Sequence, residues 1–469
     1  MARLFCLSMS RPLRTFLLAC LFAVLGTGSA HAAPTQSMIF DAQAELTNPS
    51  TREQTLDELQ SLGVDQARVL LYWKDVAPSR DASARPGGDL ADPAAYDWSR
   101  YDAVFAALRE RGFGVLVTVT TPGPKWAMRA KDDYVTRPSA TYFGRFVTAA
   151  AKRYGEQVDQ WAVVNEPNHP DFLGPQYGRG KKPISPGIYR GLFRAADKAL
   201  QATGNGSDTL LMGETAPRGT GKVVAPLTFL RGTLCLNSEY RKRSSCGRLN
   251  ADGFAHHAYT TKSGPFFVPP GKNDVTIGVL SRLNSALAKA GRAGAVRSGL
   301  PIYLTEFGIQ STPDRFLGVS LTKQPEYRAI SERLAYGNPR VKAFSQYLLR
   351  DDQPRENVSA NQRYGGFESG LRFATGREKP SLAGFKLTLA ALRDGSRTSV
   401  WGLVRPATGV TSADLLYQDL GSRTFRRLKT VRTNSRGYFT LRTSYRKGRR
   451  YRLEWQGAAS PPVRVYKRP

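Results

Sequence analysis

Gly114-Val115-Leu116-Val117-Thr118-Val119-Thr120, then a helical pattern over Tyr142–Tyr154, then Gln160-Trp161-Ala162-Val163-Val164-Asn165: this stretch decides the architecture. A short β-branched run, a longer stretch with helical periodicity and a second apolar run spell strand, helix and strand. Working outward, the same alternation recurs from residue 38 to about residue 350. The other strand candidates are Met38–Ala42, Gln66–Tyr72, Thr209–Glu214, Gly253–Tyr259, Pro301–Phe307 and Val341–Leu348. Helical patterns lie between them at Tyr101–Glu110, Pro186–Thr203 and Val279–Ala290. Eight such units over about 310 residues predict an α/β fold, a (β/α)8 TIM barrel with loop insertions. A doubly wound open sheet is the main rival, and no Gly-rich phosphate-binding turn follows the first strand to favour it.

Beyond about Ala390 the texture changes. Short strand-like runs at Ser399–Val404, Asp414–Tyr417, Tyr438–Thr443 and Tyr451–Trp455 are separated by Gly, Asn, Ser and Arg turns. That spacing predicts a small all-β, sandwich-like module. At the other end, Arg3, Arg11 and Arg14 precede an apolar run from Phe16 to Leu25, and Ala30-His31-Ala32 supplies a cleavage pattern. This is the layout of a signal peptide, and its apolar run is too short to cross a bilayer as a helix. Leu17-Leu18-Ala19-Cys20 has the look of a lipoprotein box, but the apolar run continues past Cys20. No other stretch is long and apolar enough to be a transmembrane segment. The expected division is a signal peptide over residues 1–32, a barrel over 33–390 and a basic module over 391–469, in a secreted, extracellular protein.

The 469 residues are 41% hydrophobic and 10% aromatic, which allows a large core and excludes wholesale disorder. The net charge of +30 speaks about partners and solubility rather than fold. It is unevenly placed: residues 391–469 carry 18 Lys and Arg against 4 Asp and Glu. Four cysteines and four histidines exclude a disulfide-framework mini-protein and argue against a His/Cys metal cluster. Cys6 and Cys20 lie in the leader, leaving Cys235 and Cys246, which export would favour joining as a disulfide. Without CxxC spacing, the pair reads as a staple on a surface loop rather than a redox centre.

A barrel draws its reacting groups from the C-terminal ends of its strands. Strand 4 ends Trp161-Ala162-Val163-Val164-Asn165-Glu166-Pro167-Asn168, and strand 7 ends Tyr303-Leu304-Thr305-Glu306-Phe307-Gly308. Strands 4 and 7 stand on opposite sides of an eight-stranded barrel, so Glu166 and Glu306 face each other across its mouth. Paired carboxylates suit glycosidic bond cleavage, one protonating the leaving oxygen while the other attacks or activates water. Either glutamate alone would read as a helix N-terminal residue satisfying backbone amides. Glu214, at the end of strand 5, is a third carboxylate near the mouth, open to a structural or a substrate-binding role.

These strand ends resemble those of the clan A glycoside hydrolases, including the cellulase-like and β-xylosidase/iduronidase-like families, over roughly residues 38–390. Asn165-Glu166-Pro167 and Glu306-Phe307-Gly308 carry the resemblance. Arg68-Val69-Leu70-Leu71-Tyr72-Trp73 after strand 2, Pro122 to Trp126 after strand 3 and His257-Ala258-Tyr259 after strand 6 extend it. The resemblance implies a retaining mechanism with Glu166 as acid/base and Glu306 as nucleophile. It implies that Asn165 bonds the sugar 2-hydroxyl and that Arg68 and Tyr259 hold Glu306 ionised and oriented. His257 belongs to the site, and Trp126 offers an indole face for a sugar ring; His256 points the other way in a regular strand. Many relatives end strand 8 with a tryptophan. Here Phe344-Ser345-Gln346-Tyr347-Leu348-Leu349-Arg350-Asp351 makes Tyr347 the stand-in and leaves the sugar undecided. Arg350 and Asp351 read as a surface ion pair.

The resulting expectation is a retaining O-glycoside hydrolase acting on a carbohydrate, with no cofactor and no metal. A non-catalytic carbohydrate-binding protein on a barrel scaffold and a transglycosylase are the alternatives. For the basic module, binding to an anionic cell-envelope polymer stands slightly ahead of a neutral-sugar module with solvated arginines. Specific nucleic-acid binding is weakest, since no motif for it is present.

Overall fold

Eight parallel strands close on themselves in chain order: β1 Ser37–Asp41, β2 Gln66–Tyr72, β3 Gly114–Thr120, β4 Gln160–Val163, β5 Thr209–Thr215, β6 Gly253–His257, β7 Ile302–Glu306 and β8 Val341–Tyr347. The computed structural model describes residues 36–243 and 246–468, so the leader expected over residues 1–32 lies outside the described residues. Strands such as β2 and β3 are buried on both faces, which is why their sequences are nearly unbroken apolar runs rather than alternations. Inside the barrel, Ile39, Leu116, Ala162, Leu211, Ala255 and Ala343 form a closed layer with Tyr303.

The helices return outside, each with one apolar stripe. In helix Ala140–Tyr154, Ser139 accepts a hydrogen bond from the Tyr142 amide at its start, while Phe143, Phe146, Val147, Ala150 and Tyr154 face inward. Their spacing of three and four residues places them on one face. Cys235 and Cys246 are joined as a disulfide on the loop between β5 and β6.

The C-terminal module is one strongly folded, mostly antiparallel sheet. Its strands are β9 Leu387–Asp394, β10 Arg397–Val404, β11 Ser412–Gln418, β12 Arg426–Arg432, β13 Tyr438–Ser444, β14 Arg450–Trp455, β15 Ala458–Ala459 and β16 Val463–Lys467. The order is β12-β11-β14-β16-β9-β10-β13, with β15 beside β14 and β16 parallel to β9. The two halves enclose Leu387, Leu389, Val400, Leu415, Tyr451 and Leu453, a core separate from the barrel's. The sequence reading has no counterpart for β12 or β16, and β9 starts at Leu387, ahead of the expected boundary. In β12 only Val431 is buried, so arginines and a lysine hide its strand character at the sheet edge, where charge prevents further pairing.

The outer face of β9, β10 and β13 packs on helix Lys323–Tyr336, joining Ala390, Trp401, Leu403 and Tyr438 to Ala329, Ile330 and Tyr336. Charge crosses the same seam: buried Glu332 binds both Arg328 of its own helix and Arg405 from the module. Gly63 shows how close the two parts come. Its φ is +63°, and a Cβ there would lie 2.4 Å from the Arg405 carbonyl oxygen, so only glycine fits.

Candidate active site

Seven of the eight strands deliver a polar side chain to one end of the barrel, and the eighth, β4, does so through the residues that follow it. Arg68 on β2 is the hub and is wholly buried. Its Nη1 donates to Asp41 Oδ2 on β1 at 3.0 Å and to Glu306 Oε2 on β7 at 2.8 Å. Nη2 donates to Asn165 Oδ1 at 2.6 Å and to Glu214 Oε2 on β5 at 3.0 Å, and Nε reaches Glu214 Oε1 at 3.2 Å. Thr118 of β3 accepts a longer contact from Nε at 3.3 Å. A planar fork with five N–H donors is the side chain suited to so many acceptors.

Glu306 has both oxygens fixed, because Tyr259 donates its hydroxyl to Oε1 at 2.8 Å while Arg68 holds Oε2. Glu166 is the more exposed of the two glutamates, and its Oε1 lies 3.0 Å from His257 Nδ1. The same nitrogen is 3.6 Å from Glu306 Oε2. One ligand atom from each of Glu166, His257 and Glu306 falls within a mutual 4.8 Å, which sets the carboxylate separation. Those three atoms have the spacing to hold a metal ion. However, the Arg68 cation already occupies Glu306, and His257 is favoured in its protonated form, which cannot ligate.

The backbone is bent to make this arrangement. Val164, Glu166 and Glu214 all have positive φ, at 60°, 38° and 47°. For non-glycine residues such conformations cost on the order of 1–3 kcal/mol each and persist only when surroundings over-determine them. Here the Val164 amide donates to the Val119 carbonyl at 2.9 Å, Asn165 N–H to Thr120 Oγ1 at 3.0 Å, and Glu166 N–H to the Glu214 carbonyl at 3.0 Å. A register shift in β5 between Gly213 and Thr215 turns Glu214 inward, and Gly213, at φ +117°, leaves room for the Ala255 carbonyl.

Burial and charge then divide the titrating groups. Burial pushes the Asp41 carboxyl up to about 6, helped by the Glu306 charge and opposed by Arg68. Burial would also raise Glu214, but Arg68 and His257 outweigh it and hold that carboxyl down at about 2. Burial disfavours an imidazolium at His257, yet the Glu306 charge and the Glu166 hydrogen bond raise it to about 10. His256, by contrast, is pushed down to about 4 by burial; it faces away, bonded to Thr215 and the Val275 carbonyl.

The structure brings Arg68, Asn165, Glu166, Glu214, His257, Tyr259 and Glu306 into one cluster. Tyr347 stands beside it, packed against Tyr259 and Phe367. Glu214 is fully buried and accepts from Arg68 on both oxygens, so it presents no exposed surface to the mouth. Trp126 corrects the sequence reading. It is fully buried, its indole N–H donates to the Pro78 carbonyl, and its ring packs on Trp73 and Tyr142, so it has no face for a sugar. Trp73 is equally enclosed, stacked on Phe146. Nor do Arg350 and Asp351 form a surface pair: Asp351 is buried with Lys379 at 2.6 Å. Asp41, Thr118 and Thr120 are the residues that sequence reasoning missed; each is a polar group in the last turns of a strand, the same signal that singled out the others.

No family model and no curated protein matches the chain. Among solved structures, a GH39 enzyme from Xanthomonas axonopodis pv. citri is similar at a TM-score of 0.52 and 17% identity, over 92% of this chain and 96% of that one. A monomeric β-xylosidase from Caulobacter crescentus CB15 gives 0.51 and 17%, over 91% and 96%. A glucosidase from Croceicoccus marinus gives 0.50 and 13%, over 93% and 98%. At these identities the likeness is one of fold. It takes in most of the chain, with the eight-stranded barrel and the C-terminal sheet both part of the architecture.

Proposed function

We propose that the chain is a retaining O-glycoside hydrolase in which Glu306 is the nucleophile and Glu166 the acid/base. One observation carries the reading: the two glutamates present oxygens within 4.8 Å of each other, and only one of them has both its oxygens tied by cation and phenol. Retaining enzymes hold their carboxyl groups about 5–5.5 Å apart, whereas inverting enzymes leave room for a water at about 6.5–9.5 Å.

Arg68 and Tyr259 hold both oxygens of Glu306 and aim it at the anomeric carbon. Glu166 protonates the departing oxygen as Glu306 forms the glycosyl ester, and then takes a proton from the water that hydrolyses it. His257 Nδ1, 3.0 Å from Glu166 Oε1, positions the Glu166 carboxyl beside Glu306. Asn165 Oδ1 accepts from Arg68, and Nδ2 makes no hydrogen bond among the described residues, leaving a donor for a sugar hydroxyl. Export of the protein is part of the proposal, supported by the leader pattern and the Cys235–Cys246 disulfide.

The test is hydrolysis of a panel of aryl glycosides and polysaccharides, headed by the β-xyloside and glucoside because similar structures bear those names. Glu166→Gln and Glu306→Gln should each lose nearly all activity. Azide should restore turnover to Glu166→Ala with retention of configuration, and to Glu306→Ala with inversion. Reversed behaviour of the two alanine variants would exchange the roles, and full activity in either glutamine variant would end the reading.

A further inference from the structure

The last turn of helix Lys323–Tyr336 and strands β9, β10, β13 and β16 enclose a groove of about 720 Å³ at the seam between barrel and module. Arg333, Arg393, Arg442, Lys467 and Arg468 line it, against the single carboxylate of Asp394. None of the five has a carboxylate within 4.0 Å among the described residues. Elsewhere in the module the buried and half-buried arginines are paired: Arg405 with Glu332, Arg449 with Asp419, Arg452 with Glu454. In the groove Arg333 is half-buried and the other four cations are exposed; Arg393 donates to the Gly395 carbonyl and lies over the Tyr445 ring, with no carboxylate beside it among the described residues.

Two further features concentrate positive charge in the groove. Arg393 lies directly opposite Lys467 in the β9–β16 ladder, a like-charge juxtaposition that weakens a sheet unless an anion relieves it. Arg333 is fixed over the rings of Tyr336 and Trp401, at 6.0 and 5.9 Å from their centroids, and so is oriented before any ligand arrives. Burial and the nearby Arg468 charge lower the pKa of Arg333, the electrostatic signature of a cation lacking its counter-charge. The charges on β12 are exposed too, but they stand on an open sheet edge rather than converging on a concavity.

The groove also lies at the opposite end of the barrel from the carboxylates. Arg333 is in the helix turn that leads to Val341 at the start of β8, whereas Glu166 and Glu306 follow strand C-termini, so a strand length of about 20 Å intervenes. A small ligand could not occupy both. We propose that this groove binds anionic groups carried on a polysaccharide, carboxylate or phosphate, and so anchors the barrel to an acidic glycan. Guanidinium forks match the planar oxygens of both anions. The anion site goes beyond the hydrolase reading, and the choice of a glycan as carrier rests on that reading.

The experiment uses the protein from residue 33 onward in affinity electrophoresis through gels containing polygalacturonate, phosphomannan or neutral xylan. A groove variant, Arg442→Glu/Lys467→Glu/Arg468→Glu, is compared with a β12 variant of equal charge change, Arg426→Glu/Lys429→Glu/Arg432→Glu. Retardation by an acidic gel and not by xylan is expected, weakened about tenfold or more in the groove variant but less than about threefold in the β12 variant. The milder Arg442→Gln, at an exposed position, should shift in the same direction. Whichever acidic gel retards more identifies the anion. Equal losses in both triple variants, no retardation in either acidic gel, retention unchanged in about 0.5 M salt, or tighter binding to duplex DNA would each overturn the proposal.

Discussion

Replacing Glu214 by glutamine isolates one charge of the Arg68 cluster while keeping the shape of the side chain. Both Arg68 contacts to this residue, at 3.0 and 3.2 Å, are to oxygens, and a glutamine amide supplies only one acceptor. The carboxyl of Glu214 is held at about 2, against an ordinary 4.5, so the folded protein prefers its ionised form. A depressed carboxyl contributes stability that is present above the unfolded value and is lost as pH falls toward the folded one. At 1.36 kcal/mol per pK difference, ionisation contributes about 3 kcal/mol at pH 7 and about 1.5 kcal/mol at pH 3. Glu214→Gln should therefore be less stable than wild type by about 3 kcal/mol at neutral pH, with the gap about halved at pH 3. Urea unfolding followed by tryptophan fluorescence at pH 7, 5 and 3 measures it. A variant within about 0.5 kcal/mol of wild type at pH 7, or a gap that does not narrow in acid, would refute the view that Arg68 and Glu214 form the charged base of the site.

Tyr259→Phe removes only the hydroxyl bonded to Glu306 and should lower kcat/KM about 10- to 100-fold with an unchanged urea midpoint, as steady-state kinetics on the responsive aryl glycoside will show. His256 is held neutral down to about 4 against an ordinary 6.5, so its own contribution should cost about 3 kcal/mol of stability as pH falls from 6.5 to 4, read as the difference from His256→Asn because Asp41 works in the opposite sense over that range. Urea titrations of His256→Asn should lack that slope. Gly63→Ala forces a left-handed φ on alanine and drives its Cβ into the Arg405 carbonyl, costing about 2–4 kcal/mol and speeding proteolysis at the junction near residue 387.

The barrel was legible because its strands are buried on both sides. Gly114–Thr120 and Gln66–Tyr72 are apolar enough to announce themselves, and in a closed barrel the polar residues just after such runs must gather at one mouth. Asp41 escaped notice because, followed by Gln43–Thr47, it also reads as an acid opening a helix. Trp126 misled for a different reason: a tryptophan in a loop looks the same whether it faces a ligand or the neighbouring Trp73, and only packing between distant segments decides. Asp351 likewise stands next to Arg350 in sequence, while its partner Lys379 is 28 residues away. In the module, β12 was obscured because a strand with one buried side chain leaves little periodicity to read.

The place of β16 between β14 and β9 bears on how the molecule comes into being. Residues 463–467 do not finish the sheet at its rim; they join its two halves. During synthesis the preceding strands can form hairpins, but the halves have no shared partner until those residues have left the ribosome. The module's core, and with it the cover over helix Lys323–Tyr336, is therefore completed last. A chain cut short by ten residues loses the middle of the sheet rather than an end, and exposes two strand edges at once.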